Sequence, residues 1–205
     1  MFITFEGVEG CGKSTQIDLL ARELKDRGFD VLATREPGGT PVGEAIRAIL
    51  LDRDHADMSP MTEVLLYAAS RAQHVDQVIR PALKEGKIVV CDRFADSTTA
   101  YQGAARQLGV ELISQLHSMA TRRVWPDLTI VLDLDPRIGM ERVVQKRALD
   151  RLEHEPMSFH DSVRQSFVAL AGHEPERMRV VDASQSVEEV AAIVRNIVDE
   201  ALAAA

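Results

Sequence analysis

The chain has 205 residues, of which 45% are hydrophobic and 27% are charged, and its formal net charge is −8 at pH 7. This length and composition fit one globular domain, and the acidic balance argues against a nucleic-acid-binding protein while leaving room for a few arginines around a small phosphate substrate. There is no long apolar run and no signal-peptide pattern, and Cys11 and Cys91 are too few for a disulfide framework, so we expect a cytoplasmic protein without a membrane partner.

Short runs of β-branched and aromatic residues alternate along the chain with longer segments of helical periodicity. This alternation predicts a parallel sheet covered by helices. The strands are expected at residues 1–5, 31–34, 88–91, 128–132 and 178–181.

Helices are expected at about 13–27, at 44–51, from Ser59 toward residue 84, and after a capping box at 186–189. Gly28 is a C-cap candidate for the first helix, and Pro81 is expected to end or kink the long one. The stretch 142–156 combines a helix end, alternating charges and a proline, which favours a mobile lid. The expected fold is therefore α/β, a P-loop NTPase-type five-stranded parallel sheet with helices on both faces, in a single domain over residues 1–205.

Residues 7–14 match the phosphate-binding pattern G-x-x-x-x-G-K-[ST], directly after a predicted strand and at the start of a predicted helix. In this context the glycines allow backbone N–H groups to converge on phosphate oxygens at the positive end of the helix. We expect Lys13 to reach the β- and γ-phosphates and the Ser14 hydroxyl to ligate Mg²⁺. The ATP-binding residues predicted here are Gly7, Val8, Glu9, Gly10, Cys11, Gly12, Lys13, Ser14 and Thr15. The Cys11 thiol lies where a helix dipole can activate it, but a small side chain in a tight loop is the favoured interpretation.

The loop alone is compatible with ATPases, GTPases and small-molecule kinases, although no Asn-Lys-x-Asp guanine-binding motif occurs in the chain. Asp92 ends a predicted strand, where its carboxylate is placed to organise Mg²⁺ directly or through Ser14. Arg93 beside it can neutralise two phosphates that must meet. An Asp-Arg pair at a strand end can also be purely structural.

Further motifs follow in order: TREPGGT at 34–40, RAQH at 71–74, DRF at 92–94 with AYQ at 100–102, and DRLE at 150–153. Together with the phosphate loop, these resemble bacterial thymidylate kinases over essentially the whole chain. The resemblance implies transfer of the ATP γ-phosphoryl group to dTMP, giving ADP and dTDP, by a homodimer. Two alternatives stay open: a kinase for another nucleoside monophosphate such as dUMP, and a nucleotide-switched binding protein that hydrolyses ATP slowly.

The resemblance also assigns substrate-binding residues. Arg35 and Arg47 would hold the dTMP phosphate, Tyr67 would stack on thymine, and Arg71 would contact the base or the phosphate. From the residues alone, Arg47 could be a solvated helix residue, and Tyr67 with Arg71 could be a core tyrosine with a surface arginine. The residues expected around the nucleotide are Ser97, Thr98, Tyr101 and Gln102, with the Tyr101 ring near C2′ of the sugar, where it would exclude a ribose hydroxyl.

Glu9 places an acid in the loop where some family members carry an arginine, and the resemblance directs it toward the acceptor sugar. The positive charge for catalysis must then come from elsewhere. We expect Arg147 and Arg151 of the lid to act with Lys13 and Arg93, and Arg142 to stack on adenine. The alternative is that the lid charges are a solvated helix end. A phosphate acceptor is already anionic at pH 7, since its second pKa is about 6, so no general base is expected.

Overall fold

The computed structural model describes residues 1–204. Its centre is one parallel sheet in the order β2-β3-β1-β4-β5. This confirms the predicted fold class, and every strand lies within one residue of its predicted bounds. The strands are β1 (Phe2–Glu6), β2 (Val31–Arg35), β3 (Ile88–Asp92), β4 (Leu128–Asp133) and β5 (Met178–Asp182).

Helices surround this sheet. They are α1 (Lys13–Asp26), α2 (Pro41–Leu51), α3 (Pro60–His74), α4 (Arg80–Lys84), α5 (Ala95–Thr98), α6 (Val110–Thr121), α7 (Pro136–Val144), α8 (Met157–His173) and α9 (Val187–Ala203). A 3₁₀ turn covers Arg53–His55, a π-helical segment Val75–Ile79 joins α3 to α4, and a second π-helical segment Thr99–Ala105 extends α5. Within residues 1–204, no helix is long and apolar enough to cross a membrane.

The two faces of the sheet carry different hydrophobic clusters because successive strand residues point to opposite sides. Ile3 and Phe5 pack in the larger cluster, which includes apolar residues of α1 and α9. Phe2 packs on the other face with Val75 and Ile79. Helices therefore cover both faces of the sheet, as the sequence predicts.

Local signals explain where several helices begin. The capping box of α9 is formed as predicted, with Ser186 Oγ accepting the Glu189 N–H and the Glu189 carboxylate accepting the Ser186 N–H. The second helix begins at Pro41, three residues before its predicted start, because the Thr40 hydroxyl caps its first turn and proline suits that position.

Pro81 does not end the long helix, which continues through α4 to Lys84. The π-helical segment Val75–Ile79 lies directly before this proline and changes the hydrogen-bond register there. Such a change is one way in which a helix accommodates a residue that lacks an N–H donor. The site described next lies on the central strands β1 and β3, where the strand order reverses and where α/β sheets usually bind ligands.

Candidate active site

A cleft of about 230 Å³ opens beyond the carboxyl ends of β1, β2 and β3. It brings together predicted residues of the phosphate loop, of the lid stretch and of the opposite wall. This wall is formed by the end of β2, by α2 and α3, and by the segment that follows β3. The predicted residues that line it are Glu9, Gly10, Lys13, Ser14, Arg35, Arg47, Tyr67, Arg71, Asp92, Arg93, Ser97, Thr98, Tyr101, Gln102 and Arg147. The predicted residues outside its lining are Gly7, Val8, Cys11, Gly12, Thr15, Arg142 and Arg151.

The phosphate loop, residues 7–14, is built around glycines with positive φ. Lys13 folds back over this loop, and its Nζ donates hydrogen bonds to the carbonyl oxygens of Gly7 at 3.0 Å and Val8 at 2.8 Å. The ammonium group therefore lies at the loop without a carboxylate partner among residues 1–204. It is placed to exchange these weak backbone contacts for an anion.

The loop also touches α7 backbone to backbone. A Cβ atom on Gly10 would overlap the carbonyl oxygen of Gly139, and one on Gly139 would overlap the carbonyl oxygen of Glu9. Only glycine fits at both positions, because the two segments approach without a side chain between them.

Ser14, in the first turn of α1, lies beside Asp92, the last residue of β3. Ser14 Oγ donates a hydrogen bond to Asp92 Oδ2 at 3.0 Å. Within residues 1–204, no group of three or more His, Cys, Asp or Glu side chains is placed to hold a metal ion. The pair nevertheless supplies hard oxygen donors of the kind that Mg²⁺ prefers, and Mg²⁺ usually takes its remaining ligands from water and substrate phosphates.

Arg93 and Glu9 form an ion pair in the floor of the cleft. Arg93 Nη2 donates to Glu9 Oε1 at 3.0 Å, Tyr101 Oη donates to the same oxygen at 2.6 Å, and the Arg93 guanidinium lies 5.0 Å from the Tyr101 ring centre. Burial opposes ionisation of Glu9, but the His160 ring, whose Nδ1 lies 3.5 Å from Glu9 Oε2, and the charge of Arg93 hold its pKa well below the usual range. Glu9 is therefore an anion that fixes both partners.

The opposite wall is held by Glu36, a buried carboxylate. Arg71 Nε donates to Glu36 Oε2 at 2.7 Å, and Nη1 and Nη2 of Arg71 donate to Thr98 Oγ1 and the Phe94 carbonyl oxygen, each at 2.9 Å. His74 Nδ1 lies 3.0 Å from Glu36 Oε1. Arg71 is only 2% exposed, so the alternative that it is a surface arginine is wrong.

Two more guanidinium groups stand at the mouth of the cleft. Arg35 Nη2 donates to both carboxylate oxygens of Glu44, each at 2.9 Å, and Arg47 Nη1 donates to the Pro37 carbonyl oxygen at 2.9 Å. Burial and the charge of Arg35 lower the pKa of Arg47. The positive charges of Arg35 and Arg47 repel each other there, and a bound dianion would relieve this repulsion.

The lid stretch 142–156 brings Arg147 but not Arg151 to the cleft. Arg147 is about half exposed and makes a two-pronged pair with Glu153 at 2.6 and 2.8 Å. Arg142 Nη1 donates to the Gly10 carbonyl oxygen at 3.3 Å, so this arginine lies on the phosphate loop rather than in the cleft lining.

The predicted catalytic Arg151 is buried away from the cleft. Its Nη2 lies 2.6 Å from Glu63 Oε2, and its Nε donates to the Leu50 carbonyl oxygen at 2.8 Å. Glu63 also accepts hydrogen bonds from Gln102 and Arg106. A direct contact between Arg151 and a phosphate in the cleft would require this ion pair to break.

The sequence analysis missed four buried groups that hold this site: Glu6, Glu36, Glu63 and His160. Their burial depends on partners far along the chain; Glu36 and its partner Arg71, for example, are 35 positions apart. One signal was available: Glu6 is a charged residue at the end of a strand whose other residues, apart from Thr4, are apolar.

Comparisons with known proteins agree on one family. The family model described as "Thymidylate kinase" matches residues 5–194. A thymidylate kinase of Symbiobacterium thermophilum is 51% identical, over 98% of this chain and 94% of its own, and one of Geobacter sulfurreducens is 50% identical, over 96% and 95%. The crystal structure of thymidylate kinase from Ehrlichia chaffeensis superposes with a TM-score of 0.80 at 35% identity, covering 97% of this chain and 98% of that one.

Proposed function

This chain belongs to the thymidylate kinase family, and we propose that its cleft performs the family's reaction through the residues described above. The enzyme is an ATP-dependent phosphotransferase that transfers the γ-phosphoryl group of ATP to dTMP, giving ADP and dTDP. One observation carries the assignment of roles: the phosphate loop and the arginines of the opposite wall line the same cleft. Two anionic substrates can therefore meet between them.

On the donor side, residues 7–15 bind the phosphates of ATP. The backbone N–H groups of the loop and the start of α1 face the anion, and Lys13 contributes a positive charge that has no carboxylate partner of its own among residues 1–204. Arg142 contacts the loop at the Gly10 carbonyl oxygen and stacks on the adenine ring of ATP. These contacts fix the position of the γ-phosphate relative to the acceptor, which is the main requirement of phosphoryl transfer.

Ser14 and Asp92 would hold Mg²⁺. When bound, the ion would neutralise charge on the phosphates of ATP. The hydrogen bond between Ser14 Oγ and Asp92 Oδ2 shows that both oxygens reach one point at the base of the loop. Asp92 thus holds Ser14 in place from the neighbouring strand.

On the acceptor side, Arg35 and Arg47 bind the phosphate of dTMP. Tyr67, Arg71, Ser97, Thr98 and Gln102 surround the nucleoside, with Arg71 fixed in place by Glu36. Tyr101 stands against the sugar at C2′ and, with Glu9, favours deoxyribose. Arg93 lies between the two phosphates, where its charge stabilises the transition state.

The lid supplies the last positive charge. Arg147 is the lid arginine on the cleft, and its half-exposed guanidinium can turn from Glu153 to the transferring phosphate, while the Asp150 N–H still donates to the buried Glu153 carboxylate. Arg151 attaches residues 142–156, the mobile lid of a single kinase domain, to Glu63 on α3, and the lid moves about this attachment.

We also propose that the enzyme is a homodimer in the cytoplasm. The apolar side chains of Met61 and Leu65 on α3 and of Val110 and Met119 on α6 are exposed on two helices that pack together. Such a surface suits burial against a second copy of the chain. The two free cysteines are consistent with a reducing compartment.

The test is a direct assay with ATP, Mg²⁺ and either dTMP or dUMP. We expect dTDP to form and dTMP to outcompete dUMP. Phosphorylation of dUMP but not dTMP by the folded protein would point to another monophosphate kinase. Equal ATP turnover with and without any acceptor would instead indicate a nucleotide-switched binding protein.

A further inference from the structure

Glu6 is a buried acid for which the proposed function gives no role. It is the last residue of β1, one position before the phosphate loop, and its exposed fraction is 0%. A carboxylate costs free energy in such a place unless hydrogen bonds compensate it. Its partners therefore indicate why it is there.

Both oxygens of Glu6 accept hydrogen bonds from the turn that follows β3. The Phe94 N–H donates to Oε1 at 2.7 Å, and Ser97 Oγ donates to Oε2 at 2.6 Å. Since the one hydroxyl hydrogen of Ser97 is used in this bond, Ser97 can only accept from other groups. It does so from Arg93 Nη1 at 3.2 Å.

The backbone of Arg93 depends on the same contacts. Its φ is 69°, a left-handed conformation that is unfavourable for a residue with a side chain. The Arg93 N–H is fixed by the Phe5 carbonyl oxygen at 2.9 Å, and the next N–H, of Phe94, is fixed by Glu6. Glu6 thus holds Arg93 on both sides, through the backbone of Phe94 and through the hydroxyl of Ser97.

We propose that Glu6 is a positioning residue for phosphoryl transfer, whose ionised carboxylate fixes the Arg93 guanidinium between the two substrates. This inference rests on the proposed catalytic role of Arg93. A proton on Glu6 Oε2 would displace the hydrogen that Ser97 donates there, and a proton on Oε1 would face the Phe94 N–H, so protonation breaks one of the two bonds. The ionised form is therefore the one that supports the arginine.

The surroundings of Glu6 make its protonation state sensitive to pH near neutrality. Burial, and then the negative charge of Asp96 on α5, raise its pKa to about 7, while Arg93 opposes this rise. Asp96 is itself paired with Arg177 at 2.8 Å, and the Cys91 thiol on β3 is the other titratable group nearby. Its thiol pKa is raised well above the ordinary value, chiefly by burial, so it stays neutral in this range.

The experiment measures kcat and both KM values of Glu6→Gln, varying ATP and dTMP in turn with the other substrate and Mg²⁺ saturating, with Glu111→Gln on the exposed face of α6 as the control. We expect kcat to fall at least about tenfold, a part of the hundredfold to thousandfold loss typical when a transition-state donor is removed, with KM values within about threefold of wild type. The control should keep both parameters. A kcat within about twofold of wild type overturns the inference.

Two further measurements separate positioning from a general structural role. If Glu6 acts through Ser97, the kcat losses of Glu6→Gln and Ser97→Ala will not add in the double variant, whereas additive losses contradict the inference. The wild-type kcat should rise with pH through about 7, and this step should disappear in both single variants. If Glu6→Gln does not fold, the pH profile of kcat can still be measured in Ser97→Ala. A rise through about pH 7 that persists in Ser97→Ala contradicts the proposal.

Arg93→Ala distinguishes this inference from the function on which it rests. If Arg93→Ala leaves kcat unchanged, the proposed catalytic role of Arg93 fails. If Arg93→Ala lowers kcat while Glu6→Gln does not, only the role of Glu6 fails.

Discussion

The lid offers a sharp test, because its two candidate arginines have opposite environments. Arg147 is 54% exposed and lines the cleft, whereas Arg151 is 4% exposed and pairs with Glu63. We expect Arg147→Ala to lower kcat with little change in stability. Arg151→Ala should mainly lower the free energy of unfolding.

The magnitudes follow from these environments. Removing one partner of a buried ion pair typically costs 3–5 kcal/mol, and Arg106 still donates to both oxygens of Glu63, so we expect a loss of about 3 kcal/mol for Arg151→Ala. Arg147 is half exposed but Glu153 is only 2% exposed, and the Asp150 N–H still donates to that carboxylate, so we expect a smaller loss of about 1 kcal/mol for Arg147→Ala. As a donor to developing charge, Arg147 should instead contribute about 2–4 kcal/mol to the transition state, a loss of roughly 30- to 1,000-fold in kcat.

The measurements are urea unfolding and steady-state formation of dTDP for each variant. Arg137→Ala is a matched control, since Arg137 is 59% exposed on α7 and pairs with Asp135 and Asp161. It should change neither quantity appreciably. The reverse pattern, a large kcat loss with unchanged stability in Arg151→Ala and an active Arg147→Ala, would refute the anchoring role and support a lid that opens the Glu63 pair during catalysis.

Three further predictions concern other parts of the site and fold. Tyr101→Ala should raise kcat/KM for the thymine ribonucleoside monophosphate, which carries a 2′-hydroxyl, by about tenfold relative to dTMP. Tyr101→Phe, which keeps the ring, should not. Gly39→Ala should lower the free energy of unfolding by about 2–3 kcal/mol, because Gly39 has φ +76° and an added Cβ would lie 2.7 Å from the His74 ring; Gly172→Ala, which meets nothing within 4 Å, is the control and should not be destabilised. Burial and then the charge of Arg71 lower the pKa of His117 from 6.5 to about 3, so the unfolded chain binds a proton first as the pH falls. Stability should therefore drop by about 2 kcal/mol between pH 6.5 and pH 5, and a urea-unfolding series in His117→Gln should lack this contribution.

The sequence was most informative where a local pattern determines the structure. Strand bounds, the capping box at Ser186 and the phosphate loop all depend on residues close together in the chain, and the structure agrees with each. The start of α2 had a local signal too, Thr40 followed by Pro41, which the expected start at residue 44 overlooked. Pro81 is a local signal for an irregularity at Val75–Ile79, whereas the π-helical segment Thr99–Ala105 has no comparable signal.

The side chains that fix the site could be predicted less well. Arg71 and Arg151 were both expected to face the substrates, and each is buried against a glutamate, Glu36 or Glu63, that comes from another element; Arg71 nevertheless lines the cleft, whereas Arg151 does not. A sequence pattern shows the charge of such a residue but not its partner. Burial of an arginine depends on tertiary pairing across tens of residues, and single-sequence periodicity contains no information about that pairing.

The contact between Gly10 and Gly139 has a consequence for motion. Because backbone meets backbone there, the phosphate loop and α7 cannot slide past one another as they could with flexible side chains between them. Since α7 leads into residues 142–156, a shift of the loop around an incoming phosphate presses directly on the segment that carries Arg147. The contact between the two glycines therefore couples movement of the phosphate loop to movement of the lid.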